Sequence, residues 1–255
     1  MSDRALQDDI IRALSDAPYR ASSEWRARRL VDPDRFERYA RFVARHFYHE
    51  RIVHFFKYSG ALARVTGRRP EAVLHRAGFE ALLPAMVVAS RDTARAVAGL
   101  VVSHVAGGTR DAVPYLGDLL RYEAAMMVVE AGPRVWRDGA RGSGLGDRRA
   151  PVTVEGTEVL NLTFDLPVVL PALLQAWSVV PDAPRRPTKL LVARSPHGRV
   201  AVVRASETVA AVLAEADGTR PLAAVAERAG LTPAELAEAL EGLAEIGAVR
   251  FATGS

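Results

Sequence analysis

Three histidines and a glutamate gather in one short stretch, His46, His49, Glu50 and His54, and imidazoles with a carboxylate are the donors that hold zinc or non-heme iron. On a helix, His46 would share a face with His49 or with Glu50, and His54 would sit two turns beyond His46. A zinc-protease helix needs histidines four apart with the glutamate following the first; here they are three apart and the glutamate follows the second. The neighbours Phe42, Phe47, Tyr48 and Phe55 read instead as a helix packed in a core or under a partner, so no metal is assigned. Ser103 with His104, and Ser195 with His197, are sequence neighbours rather than a nucleophile and base brought from separate elements, which gives a hydrolase triad little support. Asp118, Glu123 and Glu130 fall on one helix; Glu123 and Glu130 share a face and could form an acid pair, against the plainer reading of helical surface charge. Gly142, Gly144 and Gly146 follow no strand and precede no Lys-Ser/Thr, so they read as a linker and not as a phosphate loop. No residue is assigned a catalytic role.

The elements that would carry these groups divide the chain in two. Before the glycines, apolar residues from Tyr39 to Leu62 recur at helical spacing until Gly67 and Pro70 break the pattern, and further helices are predicted near 70–74, 91–105 and 115–130. After them, Val152–Val154 and Val159–Thr163 flank Glu155-Gly156 as a predicted hairpin, and a helix is predicted over 166–177, starting at Pro167. The predicted class is α+β: an all-helical domain over 1–140, a glycine-rich linker over 141–150, and an α+β domain over 151–255 with its core at 188–252. The absence of cysteine excludes disulfides, thiolate metal sites and a cysteine nucleophile. The polar start has no apolar signal core behind it, and no apolar run reaches the ~18 residues of a membrane span, so a cytoplasmic protein without a membrane partner is expected. The net charge of +4 comes from 34 basic residues interspersed with 30 acids, a weak pull on any polyanion.

That C-terminal core is the most legible part of the chain. Lys189–Ala193 and Arg199–Val203 flank the turn Ser195-Pro196-His197-Gly198 and predict two strands. Ser206 can cap a first helix and Asp217-Gly218 can stop it. Leu222, Val225 and Ala226 mark a second helix ended by Gly230. Thr232-Pro233-Ala234-Glu235 opens a third with a cap, a proline at N1 and a Glu at N3, and Leu236, Leu240, Leu243 and Ile246 form its buried stripe before Ala248–Phe251 return as a strand. This order, with Asp217-Gly218-Thr219-Arg220 and the ending Leu243-x-x-x-Gly247, resembles a PqqD-like peptide recognition element, a small winged-helix-like module that binds leader segments of ribosomally made precursor peptides.

A second resemblance lies in the helical half. The aromatic-rich stretch from Arg41 to Leu74 and the run Pro114-Tyr115-Leu116-x-Asp118-Leu119-x-x-x-Glu123 are similar to partner subunits of multinuclear non-heme iron oxidative enzymes, which modify precursor peptides in natural-product pathways. Together the resemblances imply a non-catalytic adaptor without a cofactor of its own. The iron would belong to a partner enzyme joined in a heterodimer, and the precursor peptide would be the second partner. Leader binding would proceed by β-augmentation beside Arg199–Val203, with apolar side chains directed toward Leu236, Ala239 and Leu240. Val200, Val202, Leu236 and Leu240 are the expected binding residues, and Arg199 and Arg204 are expected to pair with acidic leader residues. Tyr115, Asp118, Arg121, Tyr122 and Glu123 are the expected enzyme-facing residues. The alternative is a winged-helix transcriptional regulator with the third helix in the major groove. That helix carries Glu235, Glu238, Glu241 and Glu245 and no basic residue, which argues against nucleic acid.

Overall fold

The computed structural model describes residues 3–28, 30, 32–108, 113–132 and 150–251; of the predicted linker 141–150, residues 141–149 lie outside them. The chain forms two compact units. The first comprises residues 1–131 together with 167–182, and the second comprises 132–166 with 183–255. The fold mixes helices with small antiparallel sheets, the N-terminal part being helical and the C-terminal part holding the strands and further helices. No helix among the described residues is long and apolar enough to cross a membrane.

The first unit is built from α1 (Asp3–Ser15), the short α2 (Ala17–Arg20) and α3 (Ser23–Arg26), the long α4 (Pro33–Phe55), α5 (Lys57–Ala61), α6 (Ala63–Thr66), a 3-10 turn at Pro70–His75, α7 (Ala77–Leu82), α8 (Arg91–Ala106) and α9 (Leu116–Glu130). Asp32 caps α4 by accepting the Arg35 N–H at 2.8 Å, with Pro33 in the first turn. The helical periodicity of the sequence runs on to Leu62, but the structure breaks it at Phe56 and restarts as α5. The cause is tertiary. Glu123 of α9 presents Oε1 to the N–H groups of Tyr58 and Ser59, at 2.8 and 3.1 Å, and so supplies the cap that a new helix start requires. Tyr48, Ile52, Phe56, Leu62, Phe79, Leu119, Leu120 and Met127 are almost fully buried. A smaller cluster joins Ala13, Tyr19 and Trp25, with Trp25 and Phe36 ring centroids 5.2 Å apart.

The second unit contains β1 (Pro151–Thr153), β2 (Glu158–Leu162), β3 (Thr188–Arg194), β4 (Val200–Arg204), α11 (Glu207–Glu215), α12 (Leu222–Ala229), α13 (Pro233–Glu245) and β5 (Val249–Phe251); between β2 and β3 the chain forms α10 (Leu166–Leu173), most of which belongs to the first unit. The predicted hairpin across Glu155-Gly156 is corrected. β1 pairs with β5 in one sheet, and β2 pairs with β3 in another of order β2-β3-β4. Non-local partners outcompete the local turn: the Val154 N–H goes to the Ala248 carbonyl and the Thr153 N–H to the Ala216 carbonyl, at 2.9 and 2.7 Å.

The three predicted C-terminal helices form where their signals stand. Ser206 accepts the Val209 N–H at 3.1 Å, and Thr232 with Glu235 makes a reciprocal capping box. Leu191 and Ala193 of β3 pack with Val212, Leu213, Val225, Ala226, Leu236, Leu240 and Leu243 in one core. At Gly247 the backbone takes φ 79° and a Cβ would run into the Arg194 carbonyl, so glycine is required both by conformation and by the close approach of the chain to the end of β3.

Candidate functional site

Among the described residues, β4 has a partner on one side only. Its register with β3 runs from Arg194↔Val200 to Leu190↔Arg204. The Ser195 N–H reaches the Arg199 carbonyl at 2.8 Å, and the Ala205 N–H reaches the Lys189 carbonyl at 2.9 Å. In an antiparallel ladder this parity alternates. The odd-numbered residues therefore exchange hydrogen bonds with β3, and the N–H and C=O groups of Val200, Val202 and Arg204 point to the open edge. Side chains alternate with the same period. Ala201 and Val203 lie on the face that Leu191 and Ala193 turn toward the helices, and Val200, Val202 and Arg204 lie on the other.

Open edges are ordinarily protected by charge, proline or brevity. β4 instead offers four successive apolar residues, Val200–Val203, before its first charge, and Val203 is 37 % exposed. What it can do chemically is accept a further strand: three residues' worth of outward donors and acceptors beside an apolar surface.

Arg204 does not project freely. Its guanidinium lies 2.6 Å from Asp165 Oδ1, and Arg186 binds Oδ2 of the same carboxylate. Asp165 is fully buried, whereas the Arg186 and Arg204 side chains are 66 % and 49 % exposed. Burial by itself would raise the Asp165 pKa, but the hydrogen bonds and charges of Arg204 and Arg186 outweigh it and hold the carboxyl below its ordinary value. Arg199 is exposed in the turn; its N–H is taken by Ser195 Oγ at 3.2 Å. Lys189 is neutralised by Glu207 at 2.6 Å.

No protein-family model and no curated protein matches the chain.

Several expected site residues are interior. Leu236 and Leu240 are core residues, 2 % and 0 % exposed, and offer no surface to a ligand; Ala239 on the same helix is half-buried. In the first unit, Tyr115, Asp118, Tyr122 and Glu123 are all buried and only Arg121 of the expected enzyme-facing set is exposed. The apolar richness of α9 explains this: Leu116, Leu119, Leu120, Met127 and Val128 turn most of the helix into core, and the polar residues between them are carried inside. Tyr115 donates to the Pro181 carbonyl at 2.8 Å, and Asp118 lies 3.5 Å from Arg121. Burial pushes the Tyr115 and Tyr122 hydroxyls up to about 12. The carboxylates of α9 do not work as a pair, since Glu130 is held by Arg51 at 2.8 Å and Glu123 caps α5.

The histidine group lies on the outward face of α4, with His46, His49, Glu50 and His54 all exposed. His46 stacks on Phe42, His54 meets Phe55 edge-on, and His49 Nδ1 is 3.6 Å from Glu50. No group of three potential metal ligands occurs among the described residues. The same face, opposite buried Ala40, Ala44 and Tyr48, carries Tyr39, Phe42 and Val53 at 54 %, 63 % and 51 % exposure. Beside Tyr39 an open recess of about 610 Å³ is lined by Asp32, Arg35, Phe36 and Arg38. Tyr39, Phe42, His46, His49 and Val53 are spaced three and four residues apart and so share one face of α4, and the histidines among them are what mark that face as the outward one.

Proposed function

We propose that this chain is a non-catalytic partner protein which binds an extended peptide along the open edge of β4 and presents it to a modifying enzyme. The observation that carries the reading is the unprotected apolar edge, with the main-chain groups of Val200, Val202 and Arg204 turned outward. Backbone hydrogen bonds would supply affinity, and the side chains on the two faces would select sequence. The resemblance to a PqqD-like recognition element supports a leader segment of a ribosomal precursor peptide as the ligand. The resemblance of the helical half supports an iron-dependent oxidative enzyme as the second partner, with the iron held by that enzyme. Because most of the α9 residues first expected to meet the enzyme are buried, its contact surface falls to the outward stripe of α4. There Tyr39 and Phe42 form an exposed apolar patch bordered by Arg35 and Arg38, with His46 and His49 between it and Val53, which suits an apolar face edged with carboxylates.

In a winged-helix reading of the second unit, α13 would be the groove-entering helix. Its four glutamates, Glu235, Glu238, Glu241 and Glu245, are all exposed and would meet phosphates with like charge, so the regulator alternative is the weaker one.

The test is co-purification with a candidate iron-dependent oxidative enzyme, followed by titration of a labelled candidate precursor peptide against wild type and Val202→Pro. Proline removes an N–H that points away from β3, a substitution that edge strands accommodate. The fold is expected to survive and peptide affinity to fall at least about tenfold, the loss of one or more edge hydrogen bonds. Unchanged affinity in a folded Val202→Pro protein would exclude augmentation at this edge.

A further inference from the structure

Near the β4 edge, Asp165, Arg186 and Arg204 form an arrangement whose charge is not balanced within itself. Two guanidinium groups converge on a single buried carboxylate, leaving a surplus of one positive charge. The carboxylate is inside, whereas the Arg186 side chain is mostly exposed and that of Arg204 about half exposed, which leaves N–H donors not used on Asp165 within reach of solvent. Each arginine carries five such donors in a fixed fork. One arginine would suffice to neutralise the charge of Asp165. Lys189 on β3 is already paired with Glu207, so it does not supply this surplus.

The position of the cluster along the strand gives it meaning. Arg204 shares a face with Val200 and Val202, and the residues of an added antiparallel strand that pair directly with outward-pointing positions carry their side chains to that same face. A peptide on this edge would thus set three alternate side chains against Val200, Val202 and the guanidinium pair. We propose that Arg186 and Arg204, locked in place by Asp165, read an acidic side chain of the bound peptide, at four residues' distance from an apolar side chain that packs on Val200 and two from one that packs on Val202. This rests on the augmentation reading above and adds to it a register: the clamp fixes which residue of an otherwise slippery apolar strand lies at the end of β4. Asp165 is a positioning residue, while Arg186 and Arg204 make the contact.

The experiment is selection of a displayed library of linear ten-residue peptides on the full-length protein, followed by affinity measurement with synthetic peptides that carry Asp, Asn or Lys at the selected position. Selected peptides are expected to show an acidic residue with apolar residues two and four positions away, and the Asp peptide is expected to bind about tenfold more tightly than its Asn twin. Arg186→Gln leaves the Arg204–Asp165 pair intact, so circular dichroism should be unchanged while the Asp-over-Asn preference shrinks. Arg186→Glu should shift the preference toward Lys. Edge-binding peptides selected without any acidic preference would overturn the clamp and leave augmentation standing; a library from which nothing is enriched would overturn both.

Discussion

Replacing Glu123 with Gln should abolish a pH dependence of stability whose size can be worked out from the site. Glu123 is fully buried, its Oε1 accepts the Tyr58 and Ser59 N–H groups, and its Oε2 is buried without a hydrogen-bond partner. Burial pushes the carboxyl up to about 8; the hydrogen bonds from Ser59 and Tyr58 and the charge of Lys57 offset this only in part. In the unfolded chain the same group titrates near its ordinary value of about 4.3. Between these values the folded protein holds a proton that the unfolded chain has released, so stability is highest below the unfolded value and is lost as pH rises toward the folded one. At about 1.4 kcal/mol per pH unit, the loss between pH 5.5 and pH 8 comes to roughly 3 kcal/mol. Glu123→Gln keeps the acceptor and cannot ionise; it places an unpaired amide where Oε2 was, at a constant cost of about 1–3 kcal/mol. Urea unfolding of both proteins at pH 5.5, 6.5, 7.3 and 8 therefore should give a falling wild-type curve, a flatter variant curve, and a difference that closes with pH. Other titrating groups are common to both proteins and cancel in the difference. Parallel curves for wild type and variant would refute the reasoning, because they would mean that Glu123 ionises as freely in the fold as in water.

Three further outcomes test the second unit and the outward face of α4. Gly247→Ala should destabilise by at least about 2 kcal/mol in thermal or urea melts, combining the left-handed backbone penalty with the encroachment on the Arg194 carbonyl. Leu240→Ala, in the centre of the core shared with β3, should cost about 2–5 kcal/mol by the same measurement and reduce peptide binding only through unfolding. Phe42→Glu on the exposed stripe should leave the melting temperature within about 2 °C of wild type yet weaken association with the enzyme, read by analytical size-exclusion chromatography of the mixture.

Local chemistry made the C-terminal helices legible. Thr232 with Glu235, Ser206 before Val209, and Gly230 and Gly247 after their helices each act within a few residues, and each forms as its type demands. The β3–β4 hairpin was legible for the same reason. The features that the sequence could not reveal depend on partners far along the chain. β1 leaves Glu155-Gly156 for β5 because Ala216 and Ala248 offer carbonyls that a two-stranded local ribbon could not match. α4 stops at Phe55 because Glu123, 65 positions beyond Tyr58, caps α5 as a separate helix. Polar residues on α9 read as surface, and its apolar majority took them inside. The Asp165 cluster escaped notice because its members are spread from 165 to 204, with no spacing rule to join them.

The detour of residues 167–182 sets an order on how the molecule is made. As the chain leaves the ribosome, residues 1–131 emerge first, but the first unit still lacks the Pro181 carbonyl that receives the Tyr115 hydroxyl and the Trp177 ring that lies under the Arg64 guanidinium. Some fifty further residues must be translated, a wait of roughly 3–10 s, and β2 emerges during it while its partner β3 comes only afterwards. The helical half therefore matures late for an N-terminal unit, and a nascent chain halted at the glycine-rich stretch would carry an unfinished core. Cutting within 133–149 would likewise not yield two self-sufficient pieces, since one of them would leave with a segment that the other needs.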